Sequence, residues 1–80
     1  MKVRVLFFAE LKELFGDHRW VEMPDGLSVG EAALRLTGSS DKWMPEKRSL
    51  VYAVNENFEN SDKKLQDGDC LAIMTPMSGG

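Results

Sequence analysis

Eighty residues, 42% of them apolar and 29% charged, make one small domain with a single core and no deep cleft. Ten Lys and Arg against thirteen Asp and Glu give a formal charge of −3, without the basic run that a nucleic-acid or anionic-membrane binder requires. Proteins with basic surfaces are the partners this balance favours, and one cysteine, Cys70, with one histidine, His18, excludes a disulfide framework and a zinc cage and fits a reducing cytoplasm.

In chain order, Val3, Val5 and Phe7 alternate with Lys2 and Arg4, the period-2 pattern of a half-buried strand over Lys2 to Phe8. The same alternation is incompatible with a signal peptide, and no segment reaches transmembrane length. The opposite face of this strand turns apolar at Leu6 and Phe8. Leu11, Leu14 and Phe15 stand at helical spacing before Gly16, so Glu10 to Phe15 is expected to be a short helix. Arg19 to Met23 is expected to be a strand with Val21 and Met23 on one side and Trp20 on the other. Pro24-Asp25-Gly26 then turns the chain.

Ser28 with Glu31 forms a capping box, and Val29, Ala32, Ala33 and Leu36 repeat at i, i+3, i+4 and i+7 before Gly38. This predicts the principal helix, with two alanines small enough to let it lie close to a sheet. The polar stretch Ser39 to Ser49 predicts a loop pinned by Trp43. Strand character returns at Leu50 to Val54, Asn55-Glu56-Asn57 is turn-like, and Phe58-Glu59 is a short strand. Asp67-Gly68-Asp69 turns into a last strand, Cys70 to Thr75.

Several strands with one long helix predict an α+β domain over residues 1–75, in which a mixed sheet carries the main helix on one face. The compact arrangement that fits best is a β-grasp, with the first and last strands parallel at the centre. Residues 76–80 would then leave the last strand as a flexible C-terminal tail ending in Ser78-Gly79-Gly80. Lacking Cβ, a Gly-Gly end can thread a narrow channel and present its carboxylate to a catalytic centre elsewhere.

Strand phase sends Leu71 and Ile73 to the core and leaves Cys70, Ala72 and Met74 on the open face, with Met74 beside Phe8. Leu6, Phe8 and Met74, extended by Phe58, either form a partner-binding patch or simply complete the core. No nucleophile–base grouping, paired acid–base motif or phosphate-cradling loop occurs, so the chain is not expected to catalyse by itself. Its unusual chemical asset is the Gly80 carboxylate, a poor electrophile until it is activated by adenylation.

Val5-Leu6-Phe7-Phe8-Ala9-Glu10-Leu11-Lys12-Glu13-Leu14-Phe15-Gly16, Ser40-Asp41-Lys42-Trp43, Ala53-Val54-Asn55, Leu65-Gln66-Asp67-Gly68-Asp69 and the final Gly79-Gly80 resemble the sulfur-carrying small subunits of molybdopterin synthases. The resemblance covers nearly the whole chain and implies a ubiquitin-like β-grasp fold. It also implies that an ATP-dependent, ubiquitin-activating-like enzyme adenylates Gly80 and that a sulfurtransferase system converts it to a thiocarboxylate. The tail, with Ser78 and Gly79 threading a channel, would then enter the large synthase subunit and give sulfur to cyclic pyranopterin monophosphate. A heterotetramer of two small and two large subunits is implied, with no permanently bound cofactor or metal. Phe8, Phe58 and Met74 match apolar contact positions of the family. The chain departs from it at Thr75-Pro76-Met77, where a second proline and a β-branched residue are usual, and at Met74, where an aromatic residue is usual.

Three other uses of such a chain stay open: a sulfur carrier for thiamine thiazole synthesis, a ubiquitin-like modifier joined to lysines through Gly80, and a β-grasp adaptor that ignores its tail. Thiazole carriers are typically shorter and lack a segment like Glu10 to Gly16.

Overall fold

Apolar–charged alternation at the N-terminus builds the first strand of the computed structural model, which describes residues 1–8, 10–37 and 50–74. Strand β1 is Lys2–Phe7, with Val3, Val5 and Phe7 buried on one face. Helix α1 (Glu10–Phe15), β2 (His18–Glu22), α2 (Val29–Thr37), β3 (Val51–Val54), β4 (Asn57–Glu59) and β5 (Cys70–Met74) follow. The strands form one five-stranded sheet in the order β2-β1-β5-β3-β4. β1 and β5 are parallel at its centre and every other pair is antiparallel, which is the β-grasp topology expected from the element order.

Helix α1 closes where glycine permits it: Gly16 takes φ +97°, and its N–H donates to the Lys12 carbonyl at 2.9 Å. Leu11 is fully buried, and the Phe15 ring lies 5.4 Å from that of Phe7. Asp17 follows, 2.9 Å from His18 Nδ1 and 3.1 Å from Lys12 Nζ. The His18 hydrogen bond and the Lys12 ammonium hold its carboxyl below the usual aspartate value.

The capping box of α2 is reciprocal. The Ser28 N–H donates to Glu31 Oε1 at 2.9 Å, and the Glu31 N–H donates to Ser28 Oγ at 3.2 Å. The bonds from Ser28, its backbone N–H foremost, lower the Glu31 pKa. Val29, Ala32 and Ala33 are buried in the same cluster as Val3, Val5, Leu71 and Ile73, so the helix covers one face of the sheet. Leu34 points away and is exposed.

The first helical turn is also fastened from outside. Val29 and Gly30 donate their N–H groups to the carbonyls of Lys63 and Ser61, at 2.8 and 2.9 Å, and Leu65 donates to Leu27 while burying its side chain. This satisfies helix donors that have no partner within the helix. It also brings the 61–65 segment so close that a Cβ on Gly30 would lie 2.9 Å from Ser61 Cβ.

Element boundaries differ from the sequence expectation at four places. β1 ends at Phe7, because the Phe8 carbonyl accepts the Leu11 N–H at the entry to α1. β2 begins and ends one residue early: Met23 buries its side chain and bonds the Met1 carbonyl, but Pro24 has no N–H with which to continue the ladder. Leu50 precedes β3, and Asn57 joins β4 by pairing with Val54. The β3–β4 turn therefore has two residues, Asn55 (φ +50°) and Glu56 (φ +73°), the type I′ geometry suited to a twisted hairpin. The expected loop at Ser39 to Ser49 with Trp43, the Leu14 side chain, and the boundary between residues 75 and 76 lie outside the described residues.

Gly30→Ala is expected to destabilise the fold by about 1 kcal/mol through overpacking against Ser61, despite alanine's higher helix propensity. Urea unfolding measures it. Glu56→Gly is expected to stabilise by about 0.5–1 kcal/mol, since it relieves a left-handed non-glycine residue at some cost in chain entropy. The same titration should show a higher midpoint with an unchanged slope.

A candidate partner-docking groove

The face of the sheet opposite α2 has no helix over it among the described residues. The pleat sends Arg4 and Leu6 to this side from β1, and Cys70, Ala72 and Met74 from β5. Ala53 comes from β3 and Phe58 from β4, paired across the hairpin. With Phe8, Asn55 and Glu56 they line a groove of about 720 Å³. Two of its aromatic walls face water: Phe8 is 44% exposed and Phe58 77%. An apolar concavity with exposed aromatic rims is the shape of a protein-docking surface.

Strand register grades the groove from end to end. Arg4 pairs with Cys70, whose carbonyl accepts the Asn55 N–H at 2.8 Å, so these three residues share one row. The next row is Leu6, Ala72, Ala53 and Phe58. One step beyond the Phe7–Ile73 pair stand Phe8 and Met74. The charged residues Arg4 and Glu56 are thus at one end, and the other end is apolar. Residues 75–80 continue from the apolar end.

The polar end is held rigidly. Asn55 Nδ2 donates to Asp69 Oδ1 at 3.0 Å, and Asn55 Oδ1 accepts the Cys70 N–H at 3.0 Å. Asp69 Oδ2 accepts the Gln66 N–H at 2.8 Å. The left-handed turn is therefore tied to the start of β5 through a single amide side chain that uses both its donor and its acceptor.

Leu6, Phe8, Phe58 and Met74, the residues singled out from sequence as a partner patch, all line this one groove. Ser78, Gly79 and Gly80 lie outside the described residues. Sequence reasoning overlooked Arg4, Asn55 and Glu56 as wall residues. Arg4 was legible, since it shares the phase of Leu6 and Phe8, whereas the wall formed by Asn55 and Glu56 depends on a two-residue turn that was read as three. A second depression, lined by Leu50, Val51, Tyr52, Phe58, Glu59, Asn60 and Ser61, shares only Phe58 with the groove. Burial raises the Tyr52 pKa there. Among the described residues no three His, Cys, Asp or Glu side chains converge as a metal cage, and no helix is long and apolar enough to cross a membrane.

Comparison with known proteins agrees with this architecture. The ThiS family model matches residues 5–80. The molybdopterin synthase sulfur carrier subunit of Escherichia coli K12 is 34% identical over 80 residues, covering 98% of this chain and 99% of the relative. Among solved structures, a complex of subunits 1 and 2 of the molybdopterin-converting factor from Helicobacter pylori contains a chain 25% identical to this one, with full coverage of both and a TM-score of 0.64. The small archaeal modifier protein 1 of Methanosarcina acetivorans is 26% identical, covers 99% of this chain and 96% of its own, and superposes with a TM-score of 0.70. The family match over residues 5–80, the end-to-end similarity to a curated relative and the shared β-grasp sheet lead to one conclusion: the chain belongs to the ThiS family.

Proposed function

We propose that this chain is the sulfur-carrying small subunit of a molybdopterin synthase, acting in molybdenum cofactor biosynthesis. The observation that supports the reading best is the placement of the groove: its apolar end adjoins Met74, after which six residues, 75–80, lead to and include Gly80. Fully extended, six residues span at most about 20 Å. A large subunit seated on Leu6, Phe8, Phe58 and Met74 thus has the chain end within reach of its interior.

The chemistry divides between the chain and its partners. A carboxylate resists nucleophilic attack because its charge must first leave with a good leaving group. An adenylating enzyme of the ubiquitin-activating type supplies one: a Gly80 oxygen attacks the α-phosphorus of ATP, pyrophosphate departs, and a mixed anhydride forms. Sulfide-level sulfur released by a sulfurtransferase system then attacks the carbonyl carbon as hydrosulfide, loses its proton, and AMP leaves with the original oxygen. The resulting thiocarboxylate is a softer nucleophile than the carboxylate, and Ser78 and Gly79 carry it into the large subunit to the pyranopterin. Hydrolysis after transfer regenerates the Gly80 carboxylate. The groove supplies binding energy and the tether supplies effective concentration. In this reading the activation and acid–base chemistry belong to the partners, and the chain works as a protein cosubstrate.

Intact-mass analysis of the protein from sulfur-replete cells is expected to show one oxygen replaced by sulfur at Gly80. A chain lacking Gly79 and Gly80 should support no dithiolene formation; native-rate formation, or Gly80 found only in lysine conjugates, would overturn the reading. Phe58→Asp is expected to weaken binding of the large subunit by roughly 30-fold, about 2 kcal/mol. Phe8→Ala should weaken it less, and both should retain the wild-type fold, because these side chains are already exposed. Calorimetric titration with circular dichroism separates the two effects.

A further inference from the structure

The turn at the polar end of the groove carries a residue that its backbone disfavours. Type I′ turns favour glycine at the second central position, and this one has Glu56 at φ +73°. Asn55 tolerates the left-handed region, but a glutamate gains nothing from it locally. Among the described residues the Glu56 side chain makes no hydrogen bond or ion pair. Among the described residues it is also the one acidic side chain lining the groove. A strained residue whose charge has no partner among the described residues, on a binding surface, is a reason to look for an external partner.

We propose that Glu56 is an orientation-setting carboxylate, taking a Lys or Arg side chain from the protein that fills the groove. This inference rests on the reading above, in which the large synthase subunit is that protein, and it names the chemistry of the contact. Three observations carry it. The Asn55 clamp to Cys70 and Asp69 fixes the turn relative to β5, so the backbone that carries Glu56 is held at a set place on the rim. Among the described residues the charged lining side chains, Arg4 and Glu56, sit at the end of the groove away from Met74, so a partner cation paired with Glu56 on its own rim, beside the turn and not over Arg4, places the apolar part of the partner toward Phe8 and Met74. The chain also carries a formal charge of −3, which complements a basic docking element and speeds encounter with it. Apolar contacts alone are non-directional, and the groove needs a charge at one end to define which way round the partner lies.

The test titrates the full chain against the large subunit at low and high salt, with Glu56→Gln, Glu56→Lys, Glu56→Gly and Phe58→Asp. Glu56→Gln is expected to weaken binding roughly three- to tenfold and Glu56→Lys further, with both converging on wild type near about 1 M salt, where the Debye length falls to about 3 Å. Glu56→Gly should bind as poorly as Glu56→Gln while unfolding at higher urea, a divergence of affinity from stability that a purely structural residue would not produce. If Glu56→Gln and Glu56→Gly bind like wild type while Phe58→Asp does not, the role of Glu56 is overturned and the docking groove stands. If Phe58→Asp also binds like wild type, the groove reading and this inference fail together.

Discussion

The parallel pairing of β1 with β5 is the constraint on which the molecule depends. Parallel strands cannot be joined by a tight turn, so everything between them must cross over and pack. The pairing is sealed at its start by the Asp67-Gly68-Asp69 turn. The Lys2 N–H donates to Asp67 Oδ1 at 2.7 Å, the Gly68 N–H to the Lys2 carbonyl at 2.7 Å, and the Arg4 N–H to the Asp69 carbonyl at 3.0 Å. With that register fixed, Val5 and Leu71, Phe7 and Ile73 meet α2 on one face, and Leu6, Ala72 and Met74 are left on the other. A slip of one residue would exchange the two faces and destroy both core and groove.

The consequence for function is directional. Because β5 runs parallel to β1, it ends beside Phe8, and residues 75–80 follow from the apolar end of the groove. In the proposed role, docking and delivery are thereby coupled, because the segment that follows Met74 leaves from the same end of the groove as the aromatic rim. If the final carbonyl is activated elsewhere, as proposed, the chain needs no catalytic group of its own. What the fold must supply is a surface recognised the right way round, and the graded groove, charged at one end and apolar at the other, has that asymmetry.

Local strain and local reinforcement meet at the hairpin. Asn55 spends its side chain on two bonds to the β5 region, and these bonds stabilise a turn that holds Glu56 in the left-handed region. The segment that follows β4 uses another device. There the carbonyls of Ser61 and Lys63 cap the first turn of α2, and only a glycine at position 30 leaves room for them. Both devices join segments distant in sequence, and neither is a matter of helix or strand propensity.

Much of the fold was legible in the sequence because it rests on periodicity and short-range chemistry. Alternation placed Val3, Val5 and Phe7 inward and Leu6 and Phe8 outward; the Ser28–Glu31 spacing announced the cap; and Gly16 marked the end of α1. The ordered motifs and the glycine pair pointed to the family by resemblance. Other features were decided only when the chain closed on itself. Leu65 is a core residue in a segment without periodicity, Gly30 is required by Ser61, and Asn55 and Glu56 form a groove wall because of a two-residue turn. The physical reason is the range of the interactions. Propensity and pattern act over a few residues and can be read locally, whereas close approach, clamp bonds and the juxtaposition of Phe8, Met74 and Phe58 exist only once strands far apart in sequence share one sheet.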